Sequence, residues 1–125
     1  MPFVAAARDR VRQLDKGDPE RAILEFLLKH GVGVHNAKPW RIIERHLEGI
    51  GVEMTQVKFQ QSILKATREG SIFIGSTDRD GYFLINDRGD VGRVREFYHR
   101  RIGKELANLQ NLERLEKRQW PDGAR

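Results

Sequence analysis

Cysteine is absent from this chain of 125 residues, and no long apolar run occurs in it. Without cysteine there is neither a disulfide framework nor thiolate chemistry, a composition typical of the reducing cytoplasm. No apolar stretch approaches the ~20 residues that span a bilayer. The charges at 8–10 follow the short apolar start too closely for a secretory signal peptide. We therefore predict a cytoplasmic location and no membrane partner.

Motifs for catalysis and for metal binding are also missing. The four histidines, at 30, 35, 46 and 99, form no recognised metal-binding spacing with each other or with acids. No serine stands in a nucleophile elbow, and the glycine pairs lack the rest of a phosphate-loop fingerprint. We predict no catalytic residue, no metal site and no cofactor.

Charge is what the sequence has in abundance. Charged residues make up 33% and apolar residues 38% of the chain, the balance of one globular domain with a heavily charged surface. The net charge of +5 and the pI near 9.9 favour a polyanionic partner, although many basic proteins bind none. Composition alone therefore favours an anionic partner but does not identify a function.

The first part of the chain predicts two helices. The first covers 3–14, where alanines favour the helical state. Asp18 and Pro19 then form a strong start signal, with Asp as N-cap and Pro at the first helical position. The second helix reaches about His30 and is too apolar for a surface helix, so we expect it at the centre of the core.

The segment 31–52 predicts a short strand, a third helix and a turn. The β-branched residues of 31–34 are expected to pair with a later hairpin. Asn36 is predicted to cap the third helix, with Pro39 in its first turn. Glycines in 49–52 provide the turn that follows.

The stretch 55–69 predicts an amphipathic helix capped by Thr55. At 100° per residue, Phe59, Ile63 and Ala66 lie together on an apolar face. The opposite face is polar with a net positive charge, and comprises Lys58, Gln61, Ser62, Lys65, Arg68 and Glu69.

A β-hairpin and a long helix complete the predicted elements. Two apolar runs, 71–76 and 82–85, flank the charged turn 77–81. Asp90 is predicted to cap a last helix over 91–119. The predicted fold class is mainly α with a small antiparallel β-hairpin, which is an α+β arrangement.

The polar helix face suits the major groove of DNA, which admits one α-helix. Gln61 can pair with adenine, and basic side chains can reach guanine or phosphate. Base contacts are usually made near the start of such a helix. The predicted contacts are Thr55, Gln56, Lys58, Gln61, Lys65 and Arg68, with Arg79 at the tip of the hairpin.

A polar helix face is usually only a solvated surface, so the face alone is weak evidence for DNA binding. The hairpin directly after the helix, and the helix and turn before it, strengthen the DNA interpretation. The tip Asp78-Arg79-Asp80 is net acidic, whereas many such tips are basic. Contact of the tip with the DNA backbone or with a protein therefore both stay open.

This order of elements resembles the winged helix-turn-helix superfamily over 18–85. The stretch SIFIGSTDRDGYFLI resembles the wing of small winged-helix proteins from phages and mobile elements. The resemblance implies an added N-terminal helix (1–17), a DNA-binding domain (18–87), a long C-terminal helix (88–120) and a tail (121–125). It implies DNA contacts from Lys58, Gln61, Ser62, Lys65 and Arg68, a wing contact from Arg79, and backbone contacts from Lys38 and Arg41.

The long C-terminal helix predicts a dimer. About 28 residues of helix span about 42 Å, more than the ~30 Å width of so small a domain. Exposed leucines at this density normally need a partner. We predict a homodimer, and the alternative is that the helix packs back on the first helix of its own chain. The predicted dimer contacts are Tyr98, Ile102, Leu106, Leu109, Leu112 and Leu115.

These patterns together predict a homodimeric protein that binds double-stranded DNA at the nucleoid. A transcriptional regulator that represses by occupying its site fits best, because no catalytic or ligand-binding domain is attached. A winged helix with a long dimerising helix also resembles replication terminator proteins, so replication control is one alternative, and non-specific DNA organisation is another. A third alternative is a protein–protein adaptor that binds its partner through the wing or the last helix.

Overall fold

The structure is a computed structural model that describes residues 2–70, 72–77 and 80–121. It contains two compact units, one up to Val94 and one from Arg95 onward. Within the described residues the chain is mainly helical with one two-stranded antiparallel sheet. The predicted α+β class is therefore confirmed.

The helices are α1 Pro2–Gln13, α2 Pro19–His30, α3 Trp40–Gly49, α4 Gln56–Lys58, α5 Lys65–Glu69 and α6 Arg88–Gln119, with a 3₁₀ turn at Val34–Asn36. A π-helical segment, Phe59–Leu64, joins α4 to α5, so 56–69 is one continuous helical run. The strands β1 Ile74–Thr77 and β2 Gly81–Leu84 form the hairpin, with Ile74 opposite Leu84.

Helix α2 begins as predicted and lies in the core. The Asp18 carboxylate accepts a hydrogen bond from the Glu20 amide at 2.8 Å, and Pro19 is the first helical residue. Ile23, Leu24 and Leu27 are fully buried. The core is built around this helix because its apolar side chains are numerous enough to meet α1, α3 and the hairpin.

The predicted start of α3 was wrong. Asn36 ends the 3₁₀ turn, and its side-chain amide donates to the Val32 carbonyl at 2.9 Å instead of capping a helix. Pro39 is the residue before the helix, not part of its first turn. Asn36 cannot be the cap because the residues after it are extended and pair with β2 before the helix begins.

The loop between α2 and α3 lies along the hairpin. The predicted pairing of 31–34 with the hairpin is therefore observed, at Val32. Val32 forms a bridge with Leu84, and Lys38 forms a second one with Tyr82. The backbone of Lys38 both donates to and accepts from Tyr82, at 2.8 and 2.9 Å. A Cβ at Gly81 would collide with the Lys38 carbonyl, and the φ of Gly81 is +91°, so glycine permits this close approach.

The hairpin is buried on both faces, which explains its continuous apolar run. Tyr82 and Leu84 belong to the main core. Phe83 points to the other face, where it and Val94 of α6 crowd Gly75 so closely that a Cβ there would lie 2.9 Å from both side chains. Strands covered on both faces lose the alternation of apolar and polar residues.

The start of α6 differs from the prediction, because Asp87 and not Asp90 is the N-cap. Helix α6 begins at Arg88, and the Asp87 carboxylate accepts from the Asp90 amide at 2.9 Å. The Asp90 carboxylate in turn accepts a hydrogen bond from the Asp87 amide at 3.4 Å and a shorter one, 2.7 Å, from the Asn86 amide. It also accepts from the Val34 amide at 3.0 Å. Asp90 thus joins the first turn of α6 to the loop between α2 and α3.

The second unit continues α6 from Arg95. Ile102, Leu106, Leu109, Leu112 and Leu115 expose 63, 52, 49, 65 and 47% of their surface. The predicted boundary after 87 falls before the observed division at Val94, because Asp90 and Val94 are buried in the first unit. Within the described residues, no helix is both long enough and apolar enough to cross a membrane.

Replacement of Asp90 by alanine is expected to lower the free energy of unfolding by about 2–3 kcal/mol, because it leaves buried backbone amides without an acceptor. Asp90→Asn keeps the shape and one acceptor oxygen, so its loss should be smaller. Asp87→Ala removes an exposed N-cap and should cost about 1 kcal/mol. Urea unfolding of the three variants measures this order, and an equal loss for Asp90→Ala and Asp87→Ala would contradict the joining role.

Candidate nucleic-acid interface

The helical run 56–69 is capped by Thr55, as predicted. The Thr55 hydroxyl accepts a hydrogen bond from the Lys58 amide at 3.1 Å. The π-helical segment follows directly, and a π turn contains more residues than the 3.6 of an α-helix. Side chains after this segment therefore point in directions that differ from those predicted by a constant 100° per residue around the helix axis.

This rotation changes which side chains are buried. Phe59 and Ile63 are buried as predicted, and Leu64 is buried as well. The prediction for Ala66 was wrong: Ala66 is exposed, and Thr67 is buried at 3% exposure with its hydroxyl bonded to the Leu64 carbonyl. Gln60, Gln61 and Ser62, which lie between the buried Phe59 and Ile63, are exposed as three consecutive polar residues.

An aromatic cluster holds the helical run against α3 and the hairpin. Trp40 stacks on Phe59 with ring centroids 5.1 Å apart, and Phe59 meets Tyr82 edge-on at 4.9 Å. The Tyr82 hydroxyl accepts hydrogen bonds from the side-chain amides of Gln56 and Gln60, at 3.1 and 2.9 Å. These contacts join the run to α3 through Trp40 and to β2 through Tyr82, so together they set the orientation of the run.

Four predicted residues lie on the exposed face of the run: Lys58, Gln61, Ser62 and Lys65. In the part of the chain that the structure describes, the side chains of Lys58, Gln61 and Lys65 have no hydrogen bond or ion pair. The Ser62 hydroxyl donates to the Lys58 carbonyl at 2.7 Å. The face therefore presents two cations and one amide whose polar groups are available to a partner.

Arg68 was predicted on this face, and the structure directs its side chain to the hairpin. Its guanidinium donates twice to the Ile74 carbonyl, at 3.0 and 2.8 Å, and once to the Ser76 hydroxyl at 3.4 Å. It also lies over the Phe73 ring, 4.9 Å from the centroid. Arg68 joins the end of the helical run to β1, so its donors are engaged within the chain.

Two further predicted residues have local roles. Thr55 is the N-cap, and the Gln56 amide binds Tyr82. Gln60, which the helical periodicity did not select, makes the equivalent bond to Tyr82. No sequence signal identifies Gln60, because its partner lies far along the chain and the π-helical segment breaks the regular period.

The remaining predicted contacts lie before and after the run. Lys38 is half-buried through its backbone pairing with β2, and Arg41 is exposed on α3 next to Trp40. In the described residues neither side chain has a hydrogen bond or ion pair. The prediction for Arg79 lies outside the described residues.

One acidic residue of the hairpin turn has a structural role. Asp80 accepts from the Thr77 hydroxyl at 2.5 Å, and its amide donates back to that hydroxyl at 3.1 Å. Its carboxylate also pairs with the Arg93 guanidinium of α6 at 3.6 Å. Asp80 belongs to the net acidic tip that counted against DNA binding in the sequence. In the structure it bonds to Thr77, and its carboxylate lies beside the guanidinium of Arg93.

Comparison with known proteins provides no relative for this chain. No protein-family model, no curated protein and no solved structure matches it. Within the described residues there is also no cluster of three or more His, Asp or Glu side chains able to hold a metal ion. The exposed face of the helical run is therefore the feature from which a function can be inferred.

Replacement of Arg68 by alanine is expected to lower the free energy of unfolding by about 1–3 kcal/mol, because the guanidinium makes charge-assisted bonds to a carbonyl. Arg68→Lys should recover little, since an ammonium lacks the planar fork and the stacking surface. Lys65→Ala is the matched control on the same run and should leave stability within about 0.5 kcal/mol. Urea unfolding tests this, and a stable Arg68→Ala variant with weaker DNA affinity would show that Arg68 contacts DNA instead.

Proposed function

We propose that this chain is a winged-helix protein that binds double-stranded DNA in a sequence-specific manner. The observation that carries the proposal is the exposed face of the helical run, where Lys58, Gln61 and Lys65 have no partner within the described residues. The element order supports it as well, because a helix, a turn and the helical run precede a hairpin directly.

The chemistry of the face suits base edges and phosphates. A glutamine amide can donate to and accept from adenine at the same time, whereas lysine can bind guanine or a phosphate oxygen. Lys38 and Arg41 add two cations before the run, and we assign them to phosphate contacts that would fix the position of the protein on the duplex. The net charge of +5 gives such an encounter a favourable long-range term.

Self-association is part of the proposal. The five exposed apolar residues of α6 from Ile102 to Leu115 form a surface that one copy can cover on another. Two helical runs would then read two half-sites of one DNA target. A protein of this kind acts by occupying its site, so we assign it the role of a transcriptional regulator, most simply a repressor.

The exposed leucines also favour a second candidate, a protein–protein adaptor. An adaptor would use the apolar surface of α6 for a different protein, and its DNA binding would be weak and independent of sequence. Leu109→Ala would then abolish partner binding while changes on the helical run would have no effect. Replication control remains an alternative within DNA binding, and its site would lie in replication regions instead of promoters.

The primary experiment is selection of genomic fragments by the purified protein at about 150 mM salt, where non-specific phosphate binding is weak. We expect one enriched motif made of two half-sites. Recovery of unenriched DNA would contradict sequence-specific binding and would favour the adaptor or a non-specific DNA organiser.

Two substitutions test the face with the selected site. Gln61→Ala should reduce discrimination at one base pair by about 1–3 kcal/mol. Lys65→Ala should weaken binding to all sequences and lower the salt slope by about one phosphate contact. Lys29→Ala removes an exposed lysine from α2 and is the control for charge alone. If Gln61→Ala and Lys65→Ala both bind like the unaltered protein, the helical run is not the reading element.

A further inference from the structure

The charged residues that border the apolar surface of α6 are distributed unevenly along the helix, with basic and acidic residues at different ends. At 100° per residue, the charged side chains of the second unit that lie within about 90° of Leu109 fall into three groups. Arg95 and Arg101 lie in the first half, Glu105 lies in the middle, and Glu113, Glu116 and Lys117 lie in the second half. The surface is therefore basic at its first end and mainly acidic toward its second end.

We propose that a second copy of this chain covers the surface with its α6 running antiparallel. This inference depends on the self-association in the proposed function and does not depend on DNA binding. In an antiparallel pair Glu113, at the acidic end, lies beside the basic end, at Arg95 and Arg101, of the other copy. Both ends then gain an attraction, and the leucines meet in the middle.

A parallel pair in register has the opposite electrostatics. Each Glu113 lies beside the Glu113 of the other copy, and each Glu105 lies beside the other Glu105. Like charges held close at a helix pair are destabilising, and charges flanking an apolar seam select the orientation of the helices. The apolar residues alone do not determine the orientation of the two helices, because their spacing of 4, 4, 3, 3 and 3 from Tyr98 to Leu115 is not a regular heptad.

The absence of cysteine allows the orientation to be measured directly. Gln119→Cys and Asn108→Cys each introduce a single thiol at an exposed, uncharged position of α6. A nitroxide label on each variant then reports the distance between the two copies. For an antiparallel pair centred near Leu106 to Leu109, residues 119 should lie about 35 Å apart at 1.5 Å per residue, and residues 108 within about 20 Å.

The outcomes separate this inference from the proposed function. A dimer with a long distance at 119 and a short one at 108 supports the antiparallel pair. A dimer with short distances at both positions overturns the orientation and leaves self-association and DNA binding intact. A monomer in sedimentation overturns self-association itself, while the DNA selection experiment tests the DNA proposal separately.

A charge reversal gives a second measurement on the same 125-residue chain. In the antiparallel pair, Glu113→Lys places a new cation beside the basic end of the other copy, so the dimer dissociation constant should rise about threefold to tenfold. Glu96→Lys makes the same charge change on the far side of the helix and should leave the constant within about twofold. In a parallel pair, Glu113→Lys would exchange one like-charge contact for another, so an unchanged constant overturns the antiparallel arrangement.

Discussion

The orientation of the helical run depends on the side chain of Tyr82. Its backbone pairs with Lys38, its ring meets Phe59, and its hydroxyl accepts from two glutamine amides of the run. One residue of β2 therefore contacts the loop before α3, the core and the surface of the run. A buried tyrosine hydroxyl normally needs such partners, and here the partners belong to the element that presents Lys58, Gln61 and Lys65.

Local signals in the sequence were sufficient where the partner of a residue is close along the chain. Asp18 and Thr55 cap their helices as predicted, because a cap needs only an amide two or three residues away. Asn36 and Asp90 were assigned wrongly because the prediction used only this local pattern. Each has a local capping pattern, but Asn36 lies before an extended segment, and Asp90 bonds an amide 56 positions earlier in the sequence.

The candidate site was predictable in part. The exposure of Lys58, Gln61, Ser62 and Lys65 follows from amphipathicity alone. The π-helical segment did not follow from it, since the prediction assumed a constant 100° per residue, and the burial of Thr67 in place of Ala66 is the result. The engagement of Arg68 and Gln56 with the hairpin depends on tertiary contacts, and a helical projection contains no information about these.

The way the hairpin is enclosed has a consequence for aggregation. Exposed strand edges recruit further strands, and proteins commonly block them with cations or covering loops. The loop through Val32 and Lys38 pairs with the free side of β2, and Arg68 occupies the outward carbonyl of Ile74 on β1. Within the described residues, each edge of this small sheet thus has an intramolecular partner, at two bridges on β2 and at one carbonyl on β1. An added strand would have to displace these contacts before it could pair along the sheet, even though the chain also exposes a row of leucines.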